Sequence, residues 1–485
     1  MKPSLAVLCV LLLAGGWLVS CAAPAENSIA ITHVTVIDMT GAPPLAEQTV
    51  LIRKQRIAAV GPAGAIGIPR GAKIVDGAGK FLIPGLTDMH VHLTAAGEPD
   101  GSRRFMIPLL LTNGITTVRD MGGYLESLIP LRKEIEQGKR LGPRIFYAGP
   151  YLDGSPPSFE PSFVVTNRTQ ANEDVRLLVQ RGVDFIKVQS ILSRDAYFAI
   201  ADAARREHMP FEGHVPDHVT AAEAADAGQR SIEHLTNVLR GCSRDEAKLM
   251  RDQFYVPPKK ETTAQAHARL VHWQRELLQS FSQTNADALI AMFAAKEVWQ
   301  TPTLVLLKHD AFPTPGNIDR GRENEKYIPK VTLENWRKGR AAQMQLVSQP
   351  ESGLREILFA RSGALVGRMQ KRGVDVLAGT DTPAPDVVPG FALHEELALL
   401  VEAGLTPMQA LQSATSSAAR FLGKERDSGT VLAGKYADLA LLDGDPLENI
   451  QNSGKIRAVV VRGRYLDRQA LDGLLAEEMS FAGQD

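Results

Sequence analysis

The feature that most constrains the fold is a repeated alternation of short apolar strands and amphipathic helices over residues 85–422. Each predicted strand is a short apolar run, and each predicted helix carries a periodic apolar stripe, which is typical of a parallel α/β protein. The length suits a (β/α)₈ TIM barrel, which takes roughly 250 residues or more. A long helical insertion is predicted over about residues 240–296. The eight predicted strands are GLTDMHVHL, ITTVRDMGG, RIFYAGPYL, DFIKVQ, PFEGHV, SIEHL, VWQTPTLVLL and VDVLAGTD.

Two β-rich segments flank this region. Residues 31–84 and 423–470 show alternating β-branched and apolar residues that are interrupted by Gly, Pro and Asp. A long α/β region between two such segments indicates a barrel of residues 85–422 inserted into a small β-sandwich domain built from both chain ends. Residues 471–485 are expected to form a C-terminal tail.

The first twenty residues are typical of an export signal. Lys2 precedes the apolar run LAVLCVLLLAGGWLV, which ends in small residues and is too short for a stable membrane span. The tetrad LVSC resembles the lipobox of bacterial lipoproteins, which implies lipidation of Cys21 and anchoring on the periplasmic or outer-membrane side of a Gram-negative bacterium. A plain signal peptide cleaved after Ala22-Ala23 is the alternative. Residues 21–30 are expected to form a tether.

Composition narrows the classes of function. The formal net charge is −1, so nothing indicates a nucleic-acid partner or an electrostatic contact with a membrane surface. After removal of the signal, Cys242 is the only thiol besides Cys21. An exported chain without a disulfide framework must obtain its stability from its core. Formation of a homo-oligomer remains open.

Polar side chains with metal-binding chemistry fall in or at the ends of the predicted barrel strands. His90 and His92 end the first strand and point to one side, together with Asp88, because side chains alternate along a strand. A lone histidine is usually structural, but the carboxyl ends of barrel strands converge on one mouth, where active sites lie. So many donors at one mouth predict a metal site. The candidate ligands are His90, His92, Lys187, His214, His234 and Asp381.

The motifs HVH, FIKV, EGHV, SIEHL and AGTD, in this order, resemble the amidohydrolase superfamily, and especially its imidazolonepropionase-like and prolidase-like branch. The resemblance covers nearly the whole chain and implies a centre with two divalent metal ions. Zinc is the expected metal, with manganese, cobalt and iron as alternatives. The implied ligands are His90, His92 and Asp381 for one metal, His214 and His234 for the other, and a carboxylated Lys187 as the bridge.

The implied chemistry is hydrolysis. Divalent metals lower the pKa of bound water, and the resulting hydroxide attacks a carbonyl while Asp381 moves the proton to the leaving nitrogen. We therefore expect cleavage of an amide or peptide-like C–N bond in a dipeptide, an N-acyl amino acid or a cyclic amide. The same ligands also suit an ester, lactone or phosphotriester. A lipoprotein that only binds a metal or a small ligand is a further alternative.

Substrate contacts are harder to predict. Prolidase-like relatives carry a TGGH-type segment after strand three, whereas this chain has AGPYLDGSPPSFEPS, which lacks the histidine. Arg119 is a candidate for binding a substrate carboxylate, and a salt bridge to Asp120 or another acid at the barrel mouth is its alternative. Tyr151 and His394 are further candidates, with packing and a structural role as their alternatives.

Overall fold

The computed structural model describes residues 28–94, 104–253, 262–312, 323–346 and 349–483. The predicted signal and Cys21 lie outside the described residues. The first strand begins at Ser28, so the end of the expected tether belongs to the sheet. The N-terminal strands are β1 (Ser28–Val36), β2 (Leu45–Arg53), β3 (Arg56–Pro62), β4 (Lys73–Asp76) and β5 (Phe81–Pro84).

The strands of the barrel follow directly. They are β6 (Leu86–Val91), β7 (Ile115–Asp120), β8 (Arg144–Tyr147), β9 (Tyr151–Asp153), β10 (Ser162–Val164), β11 (Ile186–Val188), β12 (Phe211–Gly213), β13 (Ser231–Glu233) and β14 (Trp299–Thr301). Parallel pairing joins β6, β7 and β8 into one sheet, and β9 pairs with β11, followed by β12, β13 and β14. The parallel arrangement predicted from the sequence is confirmed.

Residues 375–382 close the barrel at the eighth position. The amide of Leu377 donates to the carbonyl of Gln300 in β14 at 2.8 Å. On the opposite side, the amide of Asp381 donates to the carbonyl of His90 in β6 at 2.8 Å, and isolated bridges join 300 to 376 and 91 to 382. The segment thus connects the last strand to the first and carries Asp381 to the same mouth as His90.

Helices cover the outside of the barrel. They are α1 (Met106–Thr112), α2 (Leu125–Glu136), α3 (Arg168–Gln180), α4 (Arg194–Arg206), α5 (Ala221–Ala227), α6 (Val238–Gly241), α7 (Glu246–Gln253), α8 (Thr263–Gln279), α9 (Gln283–Ala295), α10 (Leu304–Ala311), α11 (Lys330–Leu346), α12 (Gln349–Lys371), α13 (Phe391–Glu402), α14 (Pro407–Ser413) and α15 (Ser416–Phe421). Helices α6 to α9 correspond to the predicted insertion. Within the described residues, no helix has both the length and the apolar character needed to cross a bilayer.

The seventh strand is shorter than the sequence predicted. Strand β14 ends at Thr301, and the apolar run that follows it forms helix α10 instead of continuing the strand. The carboxylate of Glu396 accepts a hydrogen bond from the amide of Val305 at 2.7 Å, which satisfies the first turn of this helix. The prediction of a strand over LVLL was therefore wrong.

The two chain ends meet in one sheet. The C-terminal strands are β15 (Leu439–Leu442), β16 (Ile456–Val461) and β17 (Arg464–Leu466). Strand β15 pairs antiparallel with β5, so the eight strands from both ends form one continuous mixed sheet beside the barrel. The expected C-terminal tail is mostly the helix α16 (Arg468–Ala482), which Asp467 caps and Leu471 anchors by its complete burial.

Candidate metal centre

The structure brings all six predicted ligands together at the carboxyl ends of the barrel strands. His90 belongs to β6 and Lys187 to β11, whereas His214 and His234 directly follow β12 and β13. These four residues, together with His92 and Asp381, line one cavity of about 590 Å³.

The innermost atoms lie close enough to share an ion. One ligand atom each of His90, His234 and Asp381 lies within 4.8 Å of the other two. Oδ1 of Asp381 is 3.1 Å from Nε2 of His90 and 3.0 Å from Nε2 of His92. The His214 ring centroid is 5.1 Å from that of His234, so the four imidazoles form a continuous group.

All four histidines are held through Nδ1. Where the partner is a carboxylate or a carbonyl, as for His90 and His92, it can only accept, so the proton lies on Nδ1 and Nε2 keeps a lone pair for a metal. The oxygens that contact Nδ1 come from four different parts of the barrel, and two of them are hydroxyl groups, which can accept or donate. Nδ1 lies 2.8 Å from Glu233 Oε2 in His90, 2.7 Å from Ser190 Oγ in His214, 2.7 Å from Thr303 Oγ1 in His234 and 3.0 Å from the Gly122 carbonyl in His92.

His90 shows directly that the donor set suits a cation. Its Nε2 atom is buried and has no hydrogen-bond partner among the described residues. The same atom lies 3.1 Å from a carboxylate oxygen of Asp381, so two electron-rich atoms face each other. A divalent ion that accepts both lone pairs would satisfy them together, and imidazole with carboxylate is a ligand set that zinc accepts.

The electrostatics keep three of the histidines neutral, namely His90, His214 and His234. Burial, followed by the positive charge of Lys187, lowers the pKa of His90 and brings that of His214 well below its ordinary value. Burial likewise lowers the pKa of His234 to about 3. Burial alone would raise the pKa of Asp381, but His234 and His90 bring it well below the ordinary range. Neutral imidazoles and an ionised carboxylate are the protonation states that bind metal.

Lys187 is the buried base of the centre. Burial lowers the pKa of its amine to about 8, and its side chain is only 1% exposed. A substantial neutral fraction near physiological pH makes this amine a competent nucleophile.

Arg119 does not face the cavity, which corrects the prediction that it binds a substrate carboxylate. Its side chain is fully buried inside the barrel, where Nη1 lies 2.6 Å from Glu212 and Nη2 lies 2.9 Å from Glu233. Asp120, the alternative partner, instead accepts the backbone amide of Leu93 at 2.6 Å. Both ends of the guanidinium are therefore occupied by interior carboxylates.

Tyr151 lines the cavity as the sequence suggested. Its hydroxyl lies 3.1 Å from Nδ1 of His92, and its ring packs over Gly122. A Cβ atom at Gly122 would come within 2.1 Å of the Tyr151 ring, so only glycine permits this contact. Tyr151 therefore helps to orient His92 and also forms part of the cavity wall.

His394 lies away from the cavity, which corrects its prediction as a substrate contact. Its Nε2 atom is 3.1 Å from the carbonyl of Asn113 at the end of α1. Its Nδ1 atom is 3.0 Å from Oγ of Ser453, which belongs to a short 3₁₀ helix of the sheet domain (Ile450–Gly454). The ring thus contacts α1 within the barrel through Nε2 and the sheet domain through Nδ1.

Asp88 does not join the histidines of its strand. Its carboxylate accepts hydrogen bonds from the hydroxyl of Thr380 at 2.7 Å and from the amides of Thr380 and His90 at 3.1 Å. Burial raises the pKa of Asp88 to about 7. This side chain fixes the eighth segment against β6, next to the centre but outside it.

Several residues of the site were not predicted from the sequence. Glu233, Ser190 and Thr303 hold three of the four imidazoles, yet none belongs to the predicted set. The charged residue in the short predicted strand SIEHL was an available signal for Glu233, whereas nothing in the sequence marked the two hydroxyl residues. His234, Thr303 and Asp381 also adopt left-handed backbone conformations with φ of 56°, 45° and 65°, which for side-chain-bearing residues is common at functional sites.

Known proteins share this architecture. A bottromycin amidohydrolase structure matches with a TM-score of 0.73 and 22% identity, over 95% of this chain and 91% of that one. A Xaa-Pro dipeptidase with bound methionine in the active site matches with a TM-score of 0.62 and 20% identity, over 91% of this chain and all of that one. At such identities the likeness establishes the fold.

Sequence comparison establishes the family. A 5-methylthioadenosine/S-adenosylhomocysteine deaminase from Moorella thermoacetica is 38% identical over 101 residues, which cover 19% of this chain and only 23% of that relative. The model of the Amidohydrolase family matches residues 81–466, a range that contains all six candidate ligands. The chain therefore belongs to the amidohydrolase family.

Proposed function

We propose that this protein is a hydrolase that uses two divalent metal ions to cleave an amide or peptide-like C–N bond, with zinc as the metal we expect. The ligands in this proposal are those given by the family resemblance, namely His90, His92, Lys187, His214, His234 and Asp381. The bottromycin amidohydrolase and the Xaa-Pro dipeptidase, whose folds are similar, support an amide or peptide-like substrate.

The observation that carries the proposal is the shared orientation of four imidazoles. Each Nδ1 atom is held by an oxygen outside the cavity, which leaves the four Nε2 atoms for the cavity. A purely structural role for one histidine would not explain why three other histidines at the same barrel mouth are held in the same way. Oriented ligands of this kind are typical of metal centres.

The protein side chains then divide the work. A divalent metal at such a centre supplies Lewis acidity that lowers the pKa of water and polarises a carbonyl. Asp381 is ionised and lies at the centre of the group, so it can accept the proton of the attacking water. The same carboxyl group can then protonate the leaving nitrogen, which completes the cleavage of the C–N bond.

Lys187 is proposed to act as a carboxylated bridge. Its neutral amine can attack carbon dioxide and lose a proton, which gives an anionic carbamate with two oxygen donors. The lowered pKa of about 8 supports this reaction, because the protonated amine has no lone pair. An ammonium group pointed at two dications would instead be repelled.

Metal stoichiometry tests the centre. Elemental analysis of a form that begins after Cys21 should give about two metals per chain, and Lys187→Ala should lower this number. Lys308→Ala is the matched control, because that lysine pairs with Glu395 on α13 and does not line the cavity. One metal in the unsubstituted chain would contradict the bridged centre. Absence of metal after reconstitution with zinc or manganese would overturn it altogether.

Kinetics tests the reaction. Rates on a dipeptide, an N-acyl amino acid and a lactone should show preference for the C–N substrates, and preference for the lactone would contradict the proposal. Asp381→Asn should reduce turnover by at least about 10² while the circular dichroism spectrum stays unchanged. Unchanged turnover in this variant would remove Asp381 as the proton carrier.

We also propose that the enzyme is exported and anchored to a membrane through lipidated Cys21, outside the described residues. The support is the sequence itself, in which a basic head and an apolar run precede LVSC. Cys21→Ser should move the protein from the membrane fraction to the soluble fraction. Unchanged fractionation would contradict the anchor.

A further inference from the structure

Apolar side chains wall the cavity outside the candidate ligands. Tyr151, Leu306, Trp336 and Pro383 line it, and Trp336 is only 5% exposed. Phe159 stands at the rim with 59% of its surface exposed, and its ring centroid lies 6.3 Å from that of Tyr151. A large exposed aromatic beside a catalytic cavity provides area for an apolar group of a ligand.

The described part of the same walls is poor in positive charge. Among the described residues that line the cavity, Lys187 is the only Lys or Arg, and it belongs to the centre. Arg119 is enclosed below the cavity by Glu212 and Glu233. The exposed Glu160 adds a negative charge to the wall. A carboxylate held away from the centre would lose its hydration here without gaining a cation.

One polar side-chain oxygen in this wall lacks a partner among the described residues. Gln189 lies two residues after Lys187, so both side chains point to the same side of the chain. It is 3% exposed and lines the cavity, while its backbone amide is fixed by the carbonyl of Leu152 at 3.0 Å. Its Oε1 atom is buried and has no hydrogen-bond partner within the described ranges. An unpaired buried acceptor is costly, and a ligand donor would satisfy it.

We infer that the substrate is an uncharged secondary amide flanked by an apolar or aromatic group, and that Oε1 of Gln189 accepts its N–H. The terminal amide torsion of glutamine is soft, so Oε1 can turn toward the cavity without moving the backbone. This inference rests on the proposed function and narrows it. The apolar group contacts Trp336 and Phe159, while Gln189 selects substrates that carry a donor on the scissile nitrogen.

Three anilides separate these requirements. We would compare p-nitroacetanilide, which is neutral and has an N–H, with its N-methyl derivative, which lacks the donor. N-succinyl-p-nitroanilide keeps the N–H and adds a carboxylate. Both kcat/KM and the calorimetric Kd would be measured for the metal-loaded enzyme, since Kd does not depend on turnover.

The matched variants are Gln189→Met and Gln300→Met. Methionine approximates the shape of glutamine but accepts only weak hydrogen bonds. Gln300 in β14 is also buried with unpaired side-chain atoms, but it does not line the cavity. We expect Gln189→Met to reduce the preference for N–H over N-methyl by about five- to tenfold, the effect of one lost hydrogen bond. Gln300→Met should leave this preference unchanged.

The outcomes distinguish this inference from the proposed function. An unchanged N–H preference in Gln189→Met, or faster hydrolysis and tighter binding of the succinyl anilide by the unsubstituted enzyme, would overturn the inference. Failure of all three anilides to bind would overturn it as well. Binding with the expected preference but without hydrolysis would support the inference and count against the proposed reaction.

Discussion

Glu233 controls the orientation of a predicted metal ligand. Its carboxylate lies 2.8 Å from Nδ1 of His90 and 2.9 Å from Arg119, in a fully buried position. Burial alone would raise its pKa, but Arg119 and His90 bring the pKa below the ordinary range and keep the group charged. Glu233→Gln should weaken metal affinity by about 10- to 100-fold, as measured by competition with a chelator, because an amide is a poorer acceptor for the His90 N–H.

Glu212 provides the control for this prediction. It also pairs with Arg119, at 2.6 Å, but the structure records no contact with any of the four histidines. Both Glu→Gln variants should lose stability, by roughly 3–5 kcal/mol if each breaks a buried ion pair. Only Glu233→Gln should also lose metal affinity. Equal losses of metal affinity in the two variants would show that disruption of the ion pairs inside the barrel, and not loss of the contact to His90, weakens metal binding.

The candidate ligands were predictable because their chemistry is visible locally. Histidines at successive strand ends and a lysine inside an apolar strand indicate a metal site without knowledge of any contact. The partners of Glu233 could not be predicted in the same way, since Arg119 lies 114 residues earlier in the chain. The same separation explains why the sequence suggested a substrate contact for Arg119, because the direction of its side chain depends on the closed barrel.

The eighth segment of the barrel approaches β6 closely at a glycine. A Cβ atom at Gly379 would lie 2.6 Å from Cγ2 of Thr301 and 2.9 Å from Cβ of His90. Gly379→Ala should therefore push this segment away from β6 and separate Asp381 from His90. We expect a destabilisation of about 1–3 kcal/mol, as for other overpacked cores, together with reduced metal content.

Gly339→Ala in helix α11 is the control for this substitution. A Cβ atom there meets no other atom within 4 Å, and alanine favours a helix, so stability should stay equal or rise slightly. Thermal unfolding and elemental analysis of both variants test the prediction. Full metal content in Gly379→Ala would show that the close approach is unimportant for the site.

At the level of elements, most helices and strands could be predicted from periodicity, and the exceptions have identifiable causes. The run LVLL after Pro302 has no period of its own, so it fits a strand or a helix equally well. Glu396, which comes 91 residues after Val305, caps the helix that forms. The eighth strand was predicted at the right place, but it is held by a few bonds to Gln300 and His90 instead of a regular ladder.

At the level of the whole molecule, the union of both chain ends was predictable from their shared β-rich character. The pairing of β5 with β15 was not, because strand register is set by contacts and not by composition. The junction between the sheet domain and the barrel contains a second feature that could not be predicted. It is His394, which contacts Asn113 of the barrel and Ser453 of the sheet domain.

This junction should make stability depend on pH. Burial lowers the pKa of His394 to about 4, whereas an unfolded histidine has a pKa of about 6.5. Between these values the unfolded chain binds the proton and the folded chain does not, so stability is lost as pH falls from 6.5 toward 4. From pH 7 to pH 5, this residue alone should lower the free energy of unfolding by about 2 kcal/mol.

Replacing the titratable ring isolates this contribution. His394→Gln keeps a donor for the carbonyl of Asn113 but cannot take up the proton. Between pH 7 and pH 5, the free energy of unfolding of this variant should therefore fall by about 2 kcal/mol less than that of the unsubstituted chain. His33→Gln is the control, because that histidine is exposed on β1 and its recorded partner among the described residues is the exposed Glu47. Urea unfolding at the two pH values measures all three proteins. If His394→Gln loses as much stability as the unsubstituted chain, protonation of this junction does not limit the acid stability of the fold, and other buried groups must account for it.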